Sequence, residues 1–207
     1  MNAEIHPIRT AAETALAEAF ASAKRDLPGA GEVAALRESA FERFQRDGLP
    51  HRRIEDWKYT DLRALMREAL PLAGAPSAAA KARAKTVGEA LAALEGRRIV
   101  LVDGAFVPEL SDLAQLEAGL TIRSTAHALA AGDPLLAQHL GNVVPTDDVA
   151  VALNTAFMGD GVIIHVAAGA ALARPLHLVL VNAGATPAAV FARSLVVIEA
   201  GARAMLI

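Results

Sequence analysis

A glycine-containing repeat near the end of the chain constrains the fold more than any other feature. Residues 161–207 consist of short β-branched runs separated by glycine and proline. The pattern aliphatic, any residue, Ala, Gly, Ala recurs there in three units, whose glycines Gly169, Gly184 and Gly201 follow at nearly equal intervals. This spacing suits the coils of a β-solenoid, in which equivalent strands stack and glycine serves the corners. The repeat therefore predicts the first coils of a β-solenoid, with the edge of a β-sandwich as the alternative.

The sequence stops inside an apolar run, residues 205–207, with no turn or polar residue behind it. A bare last coil of a solenoid exposes both backbone edges and core, which natural proteins cover. We therefore expect the chain to be a fragment of a longer protein. Its exposed solenoid end would favour a homodimer.

The residues ahead of the repeat have mainly helical periodicity. Residues 10–48 predict two helices, with Leu16 and Phe20 on the apolar face of the first and Phe41 on that of the second. Gly48 predicts the end of the second helix, because glycine readily adopts the left-handed conformation that closes a helix.

Three weaker helical signals follow. The pattern predicts a third helix over residues 62–69 and a loop or frayed helix over residues 76–84. Thr86 and Glu89, three positions further on, predict a capping box that opens another short helix.

The period changes from helical to extended at residue 99. An apolar run over 99–102, the Asp103-Gly104 turn signal and a second run over 105–107 predict a hairpin with a type I′ turn. Residues 120–123 predict a third strand. Short helices are expected over residues 125–131, 134–140 and 148–157. Asp147 and Asp148 are expected to cap the last of these helices.

These signals predict an α+β protein in three parts. Residues 1–97 form an N-terminal helical domain, residues 98–158 form a small β element with connecting helices, and residues 159–207 begin the solenoid.

Charge and motif content argue against several classes of function. The net charge of −3 is too close to balance for electrostatic binding of nucleic acid. The sequence contains no cysteine, no GxxxxGK(S/T) phosphate loop, no GxSxG nucleophile motif and no HExxH zinc motif. We therefore expect no enzyme activity and no metal or cofactor bound by the chain itself. His165 and His177, in the repeat, are expected on outward strand faces.

Location follows from two further features. No run of about 18 apolar residues is present to span a membrane. Residues 1–10 lack the basic segment and apolar run of a secretory signal. We expect a cytoplasmic protein that binds no membrane.

The densest cluster of chemically distinctive residues lies in residues 49–62. It contains the chain's single tryptophan and single tyrosine, with basic and acidic residues around them in equal number. Such amphipathic rings and ion pairs can anchor one part of a protein on another, or on a partner. The candidate anchor residues are Arg53, Glu55, Trp57, Lys58 and Tyr59.

Four segments together resemble the SufD family. They are Leu-Pro-x-Arg-Arg-x-Glu-x-Trp-Lys-Tyr-Thr at residues 49–60, Ala-Leu-Asn-Thr-Ala-Phe at 152–157, Arg-Pro-Leu-His at 174–177 and Ala-Arg-Ser-Leu-Val-Val at 192–197. The resemblance runs through nearly all of the chain, with the segments in the family's order. The paralogous SufB family differs in its opening region.

The resemblance implies a fold and a role. It implies an N-terminal helical domain followed by a right-handed parallel β-helix, truncated here, and a non-catalytic scaffold in the SufB–SufC–SufD iron–sulfur cluster assembly complex. SufB-like and SufC-like partners would bind through regions mostly absent from this sequence. The complex would handle an iron–sulfur cluster, and a flavin is a further component that it could hold.

Two rival hypotheses come from other classes. A carbohydrate-active enzyme on a β-helix needs a charged cluster on one solenoid face, whereas the charged residues of 161–207 are only Arg174, Arg193, Glu199 and Arg203. A helical adaptor module would bind its target through Trp57 and Tyr59.

Overall fold

A computed structural model describes residues 9–90, 95–144 and 147–207 of the chain. These residues form a mixed α+β fold with two small sheets. The helices are α1 (Ala11–Ala23), α2 (Glu32–Asp47), α3 (Leu62–Leu65), α4 (Ala78–Ala90), α5 (Thr125–Ala131), α6 (Pro134–His139) and α7 (Val149–Phe157), with 3₁₀ turns at Glu55–Trp57 and Pro108–Leu110.

The strands form two sheets of three. They are β1 (Arg97–Val102), β2 (Ala105–Phe106), β3 (Leu120–Ser124), β4 (Val162–Val166), β5 (Leu176–Val181) and β6 (Leu195–Ile198). One sheet has the order β2-β1-β5, and β1 pairs antiparallel with β2 and parallel with β5. The other has the order β3-β4-β6, and β4 pairs antiparallel with β3 and parallel with β6.

A phenylalanine core joins the first two helices to α7. The predicted core positions Leu16, Phe20 and Phe41 are buried in it, which confirms the amphipathic pattern of α1 and α2. The rings of Phe20 and Phe41 stack with centroids 4.1 Å apart, and Phe157 of α7 meets Phe20 edge-on at 5.5 Å. Gly48 follows α2 with a φ of 72°, which confirms the predicted helix end.

Arg37 of α2 stabilises the contact between α2 and α7. Its side chain is buried, and its guanidinium donates to the carbonyl oxygens of Thr155 and Ala156 in the last turn of α7. A cation stabilises the negative end of a helix dipole, where carbonyl groups lack helical partners. Burial lowers the pKa of Arg37 to about 10, so the group remains a cation at neutral pH.

The predicted hairpin is confirmed. β1 and β2 pair antiparallel, and the turn residues Asp103 and Gly104 have φ values of 49° and 84°. Positive φ at both central positions is the mark of a type I′ turn. The predicted third strand and the three helices after residue 124 are also present, as β3, α5, α6 and α7.

Segments that stack on each other in the repeat region lie two predicted units apart along the chain. Ile163 pairs in parallel with Leu195, and Gly169 donates from its amide to the carbonyl oxygen of Ala200 at 3.0 Å. Gly169 and Gly201, the first and third glycines of the repeat, therefore lie against each other, whereas Gly184 lies beside Asp103. The expectation that each unit is one coil is wrong, because the chain passes through two units before it stacks on itself.

The predicted capping box at Thr86 and Glu89 is wrong, because Thr86 lies inside α4 and does not open a helix. Of the two alternatives for residues 76–84, a loop or a frayed helix, the structure shows a helix from Ala78. Ser77 begins the helix instead, since its hydroxyl accepts from the amide of Ala80 at 3.1 Å. Alanine is the strongest helix former, and Ala80 and Ala84 pack against β1. The predicted helical positions 91–94 lie outside the described residues.

The third helix is shorter than predicted, because α3 ends at Leu65. The three-part division of the chain stays a prediction. Strand pairing connects its second and third parts, since β1 lies beside β5.

Candidate functional site

Residues 49–62 are held at their start by Glu13 of α1. Its carboxylate accepts the amide of Thr10 at 2.7 Å, which closes a capping box, and the amide of Leu49 at 2.7 Å. Burial opposes ionisation of Glu13, but these backbone hydrogen bonds outweigh it, and the pKa of the carboxyl group lies below its ordinary value. One buried carboxylate thus joins the start of α1 to the chain that leaves α2.

Trp57 is the point at which this segment attaches to the rest of the protein. Its ring is half-buried, and the indole nitrogen donates to Oδ2 of Asp148 at 3.2 Å. The other oxygen of Asp148 accepts the amide of Val151 at 2.9 Å and so caps α7, as the sequence predicts for this aspartate. Trp57 therefore links residues 49–62 to the start of α7.

The other four predicted anchor residues are exposed. Lys58 lies 2.6 Å from a carboxylate oxygen of Glu55 and 5.3 Å from the ring centroid of Tyr59. The Tyr59 side chain is 92% exposed. Arg53 lies apart from them, and its backbone amide donates to Nδ1 of His51 at 3.2 Å. The structure thus groups Glu55, Lys58 and Tyr59 on the surface and places Trp57 beneath.

Replacement of Trp57 should cost stability even though the side chain is only half-buried. Trp57→Ala removes the ring and the bond to Asp148, and we expect a loss of about 2 kcal/mol in the free energy of unfolding. Trp57→Phe keeps most of the ring and should cost about 1 kcal/mol for the hydrogen bond. Urea denaturation of the chain measures both values.

Tyr59→Ala is the matched control for this prediction. Because Tyr59 is almost fully exposed, its removal should change the free energy of unfolding by less than about 0.5 kcal/mol. A larger loss for Tyr59→Ala than for Trp57→Ala would contradict the arrangement described above.

Two of the sequence segments that carry the resemblance meet in space. Arg193 donates from Nε and Nη2 to Oδ1 of Asn154, at 2.9 and 2.7 Å, and from Nη2 to the hydroxyl of Thr155. Asn154 returns a hydrogen bond from Nδ2 to the carbonyl oxygen of Ala192 at 3.2 Å. Burial lowers the pKa of the Arg193 guanidinium. The contact fixes α7 to the strand region that contains β6.

Asp160 connects three further elements, a role that was not predicted from the sequence. Its carboxylate accepts the amide of Phe106 at 2.9 Å, the hydroxyl of Ser124 at 2.8 Å and the amide of Ala126 at 2.9 Å. β2, β3 and α5 are thereby joined at one point. The sequence signal for this role was an acidic residue between two glycines, Gly159 and Gly161.

The two histidines of the repeat differ in environment. His165 lies 2.8 Å from a carboxylate oxygen of Glu199, and this hydrogen bond lowers the pKa of the Glu199 carboxyl group. His177 is only 5% exposed, packed against Gly96, and its Nε2 has no partner within the described residues. The expectation of an outward-facing His177 is wrong, because β5 is covered on that side.

Strand β6 forms one edge of its sheet. It pairs with β4, and no other described strand lies on its far side. Val196 and Ile198 on this edge strand are partly exposed, at 38% and 47%. Chain past β6 continues the stacking, since Ala171 pairs in parallel with Arg203. This surface, β6 with residues 203–207, is called the stacking edge below.

The described part of the chain contains neither a candidate metal site nor a candidate membrane span. No group of three or more histidine, aspartate or glutamate side chains there could hold a metal ion. Among the helices of that part, none has both the length and the apolar character of a membrane span.

The chain is similar to known proteins. Residues 11–178 match the model of the SufBD protein N-terminal region. A protein of Synechocystis sp., named as an iron–sulfur cluster assembly SufBD family protein, is 33% identical over 156 residues, which are 75% of this chain and 34% of that protein. The chain thus spans about a third of the length of this relative. With most of its residues matched by the family model, the chain belongs to the SufBD family.

Proposed function

We propose that this chain is part of a non-catalytic scaffold for iron–sulfur cluster assembly, of the SufD type. It would act with a SufB-like partner and a SufC-like ATPase. The match of residues 11–178 to the SufBD N-terminal region carries this proposal. The Synechocystis relative, named for iron–sulfur cluster assembly, supports it.

The fold proposed for the repeat region is a right-handed parallel β-helix. Its support is the parallel pairing of Ile163 with Leu195 and of Ala171 with Arg203, each 32 residues apart, and of Leu176 with Leu206, 30 residues apart. A nearly constant offset between stacked partners is what the coils of a solenoid produce. In this proposal the stacking edge is where a further coil adds its strands.

The cluster itself would be cargo held by another subunit. Nascent iron–sulfur clusters are held by cysteine thiolates, and this chain contains no cysteine. We propose that the SufB-like partner supplies those ligands. A flavin in the complex and a homodimer through the stacking edge stay predictions.

The assignment to the SufD type depends on residues 49–60. The Glu-x-Trp-Lys-Tyr-Thr run there resembles SufD more than SufB. The hydrogen bond from Trp57 to Asp148 gives this run a structural task that does not require a partner.

Co-purification tests the proposed function. The complete gene product that contains this chain is co-expressed with a SufB-like and an affinity-tagged SufC-like subunit. We expect all three to elute together from the affinity resin and from gel filtration. If the product binds neither subunit while remaining folded by circular dichroism, the proposal is wrong.

The adaptor hypothesis remains as a second candidate because Tyr59 is 92% exposed. Tyr59→Ser in the same co-expression separates the two. A scaffold that binds through its solenoid should keep both partners in this variant. Loss of a partner from the folded variant would favour an adaptor that binds through the Tyr59 surface.

A further inference from the structure

A pocket lined by basic side chains lies beside residues 49–62. It has a volume of about 490 Å³, within the range of about 300–1,000 Å³ that is usual for small-molecule sites. Its lining residues are Thr10, His51, Arg52, Arg53, Asp61, Arg63 and Ala64. Three arginines therefore face one aspartate in this pocket.

The acceptor groups of the pocket are already used by the backbone. Oδ1 of Asp61 accepts the amide of Ala64 at 2.9 Å and caps α3. The hydroxyl of Thr10 accepts the amide of Glu13 at 3.2 Å. The Thr10 hydroxyl carries no charge, and Asp61 keeps its negative charge and offsets part of the positive charge of the arginines.

Two of the arginines have no acidic partner in the described part of the chain. Glu55, the nearest acidic residue in sequence to Arg52 and Arg53, is paired with Lys58 at 2.6 Å. The side chains of Arg52 and Arg53 are exposed and make no ion pair with any described residue. Arg63 completes the set and helps to lower the pKa of the Glu13 carboxyl group.

The backbone holds these donors in place. The amide of Arg63 donates to the carbonyl oxygen of Pro50 at 3.2 Å, which ties α3 to the start of the arginine pair. The amide of Arg53 donates to Nδ1 of His51, so the neutral ring carries its proton on Nε2, where it is a further donor. Arginine presents a planar set of N–H groups that matches oxygen anions in two-point contacts.

We infer that this pocket binds a small anion through a phosphate or carboxylate group held by Arg52, Arg53 and Arg63. The inference is independent of the proposed scaffold function. Residues 49–62 contain equal numbers of basic and acidic residues, so the sequence alone does not indicate this site. The structure separates the charges, with Lys58 and Glu55 in a pair and the arginines on the pocket.

Isothermal titration calorimetry of the chain with pyrophosphate and, separately, with citrate tests this inference. We expect at least one probe to bind with one-to-one stoichiometry and with an affinity that falls as salt is added. The probe that binds distinguishes a phosphate site from a carboxylate site. Binding of neither probe at low salt would overturn the inference.

Variants locate the binding. Arg52→Gln with Arg53→Gln should weaken the affinity about tenfold or more, since charge-assisted hydrogen bonds are lost. Arg25→Gln with Arg67→Gln removes the same charge from exposed positions that do not line the pocket, and should change the affinity less than about twofold. Equal weakening in both double variants would contradict a specific site.

A measurement on the unchanged chain guards against effects of mutation on folding. Addition of the bound probe should shift the backbone amide NMR signals of Arg53 and Ala64. The amide of Arg174, which lines a different pocket, should not move. Shifts spread evenly over the surface arginines would overturn the inference.

Discussion

Phe157→Ala is expected to lower the free energy of unfolding by about 4 kcal/mol. The ring is 1% exposed and meets three others, with centroids 5.5 Å from Phe20, 6.0 Å from Phe41 and 4.9 Å from Phe191. Removal leaves a cavity where α1, α2 and the end of α7 come together, and rigid neighbours fill such a cavity poorly. Urea denaturation followed by circular dichroism measures the loss.

Two controls bracket this prediction. Phe157→Leu keeps most of the apolar volume and should cost only about 1–2 kcal/mol. Leu65→Ala alters a side chain that is 71% exposed and should cost less than about 0.5 kcal/mol. A loss below about 1 kcal/mol for Phe157→Ala would mean that α7 does not pack on the first two helices.

Gly161→Ala is expected to destabilise the protein by about 3 kcal/mol although it adds one methyl group. The new Cβ would lie 2.6 Å from the carbonyl carbon of Arg193 and closer still to its oxygen. Backbone on both sides is fixed there, because the amide of Arg193 donates to the carbonyl oxygen of Asp160 at 2.9 Å. The φ of 153° at Gly161 adds strain for a residue with a side chain.

Gly159→Ala is the matched control, in the same turn on the other side of Asp160. A Cβ at Gly159 would meet only the carbonyl oxygen of Phe191, at 3.9 Å, an ordinary contact. Its free energy of unfolding should change by less than about 0.5 kcal/mol. Thermal and urea denaturation of both variants compare them, and equal losses would show that the close approach at Gly161 is not the cause.

Local signals predicted much of the secondary structure. The Asp103-Gly104 turn and the end of α2 at Gly48 depend on the backbone freedom of one or two residues, which a sequence displays directly. The start of α4 at Ala78 was not predicted, because its alanines give no hydrophobic stripe. In the structure small side chains are what bring α4 close to β1.

Long-range contacts could not be predicted from spacing alone. The repeat of Ala-Gly-Ala units was visible, but Gly169 stacks near Gly201 and not near Gly184. The bond from Trp57 to Asp148 and the contact of Arg193 with Asn154 join residues far apart in sequence. No local pattern specifies which of several donors binds a given acceptor, so these contacts are seen only in the folded structure.

The same limit applies to the basic pocket. In sequence, residues 49–62 have balanced charge, and their composition does not indicate a basic pocket. The pairing of side chains determines the charge of the pocket, because Glu55 forms an ion pair with Lys58 and not with the arginines. Net charge over a segment therefore says little about the potential inside a pocket.

The parallel pairing of β1 with β5 has a consequence for protein synthesis. Arg97 lies opposite Leu176, so β1 and β2 leave the ribosome well before their third strand exists. During that interval one edge of the apolar strand β1, which contains Ile99 and Leu101, has unpaired amide and carbonyl groups. Other nascent chains can pair with this edge. Cellular yield is therefore expected to depend on chaperones that shield this strand during translation.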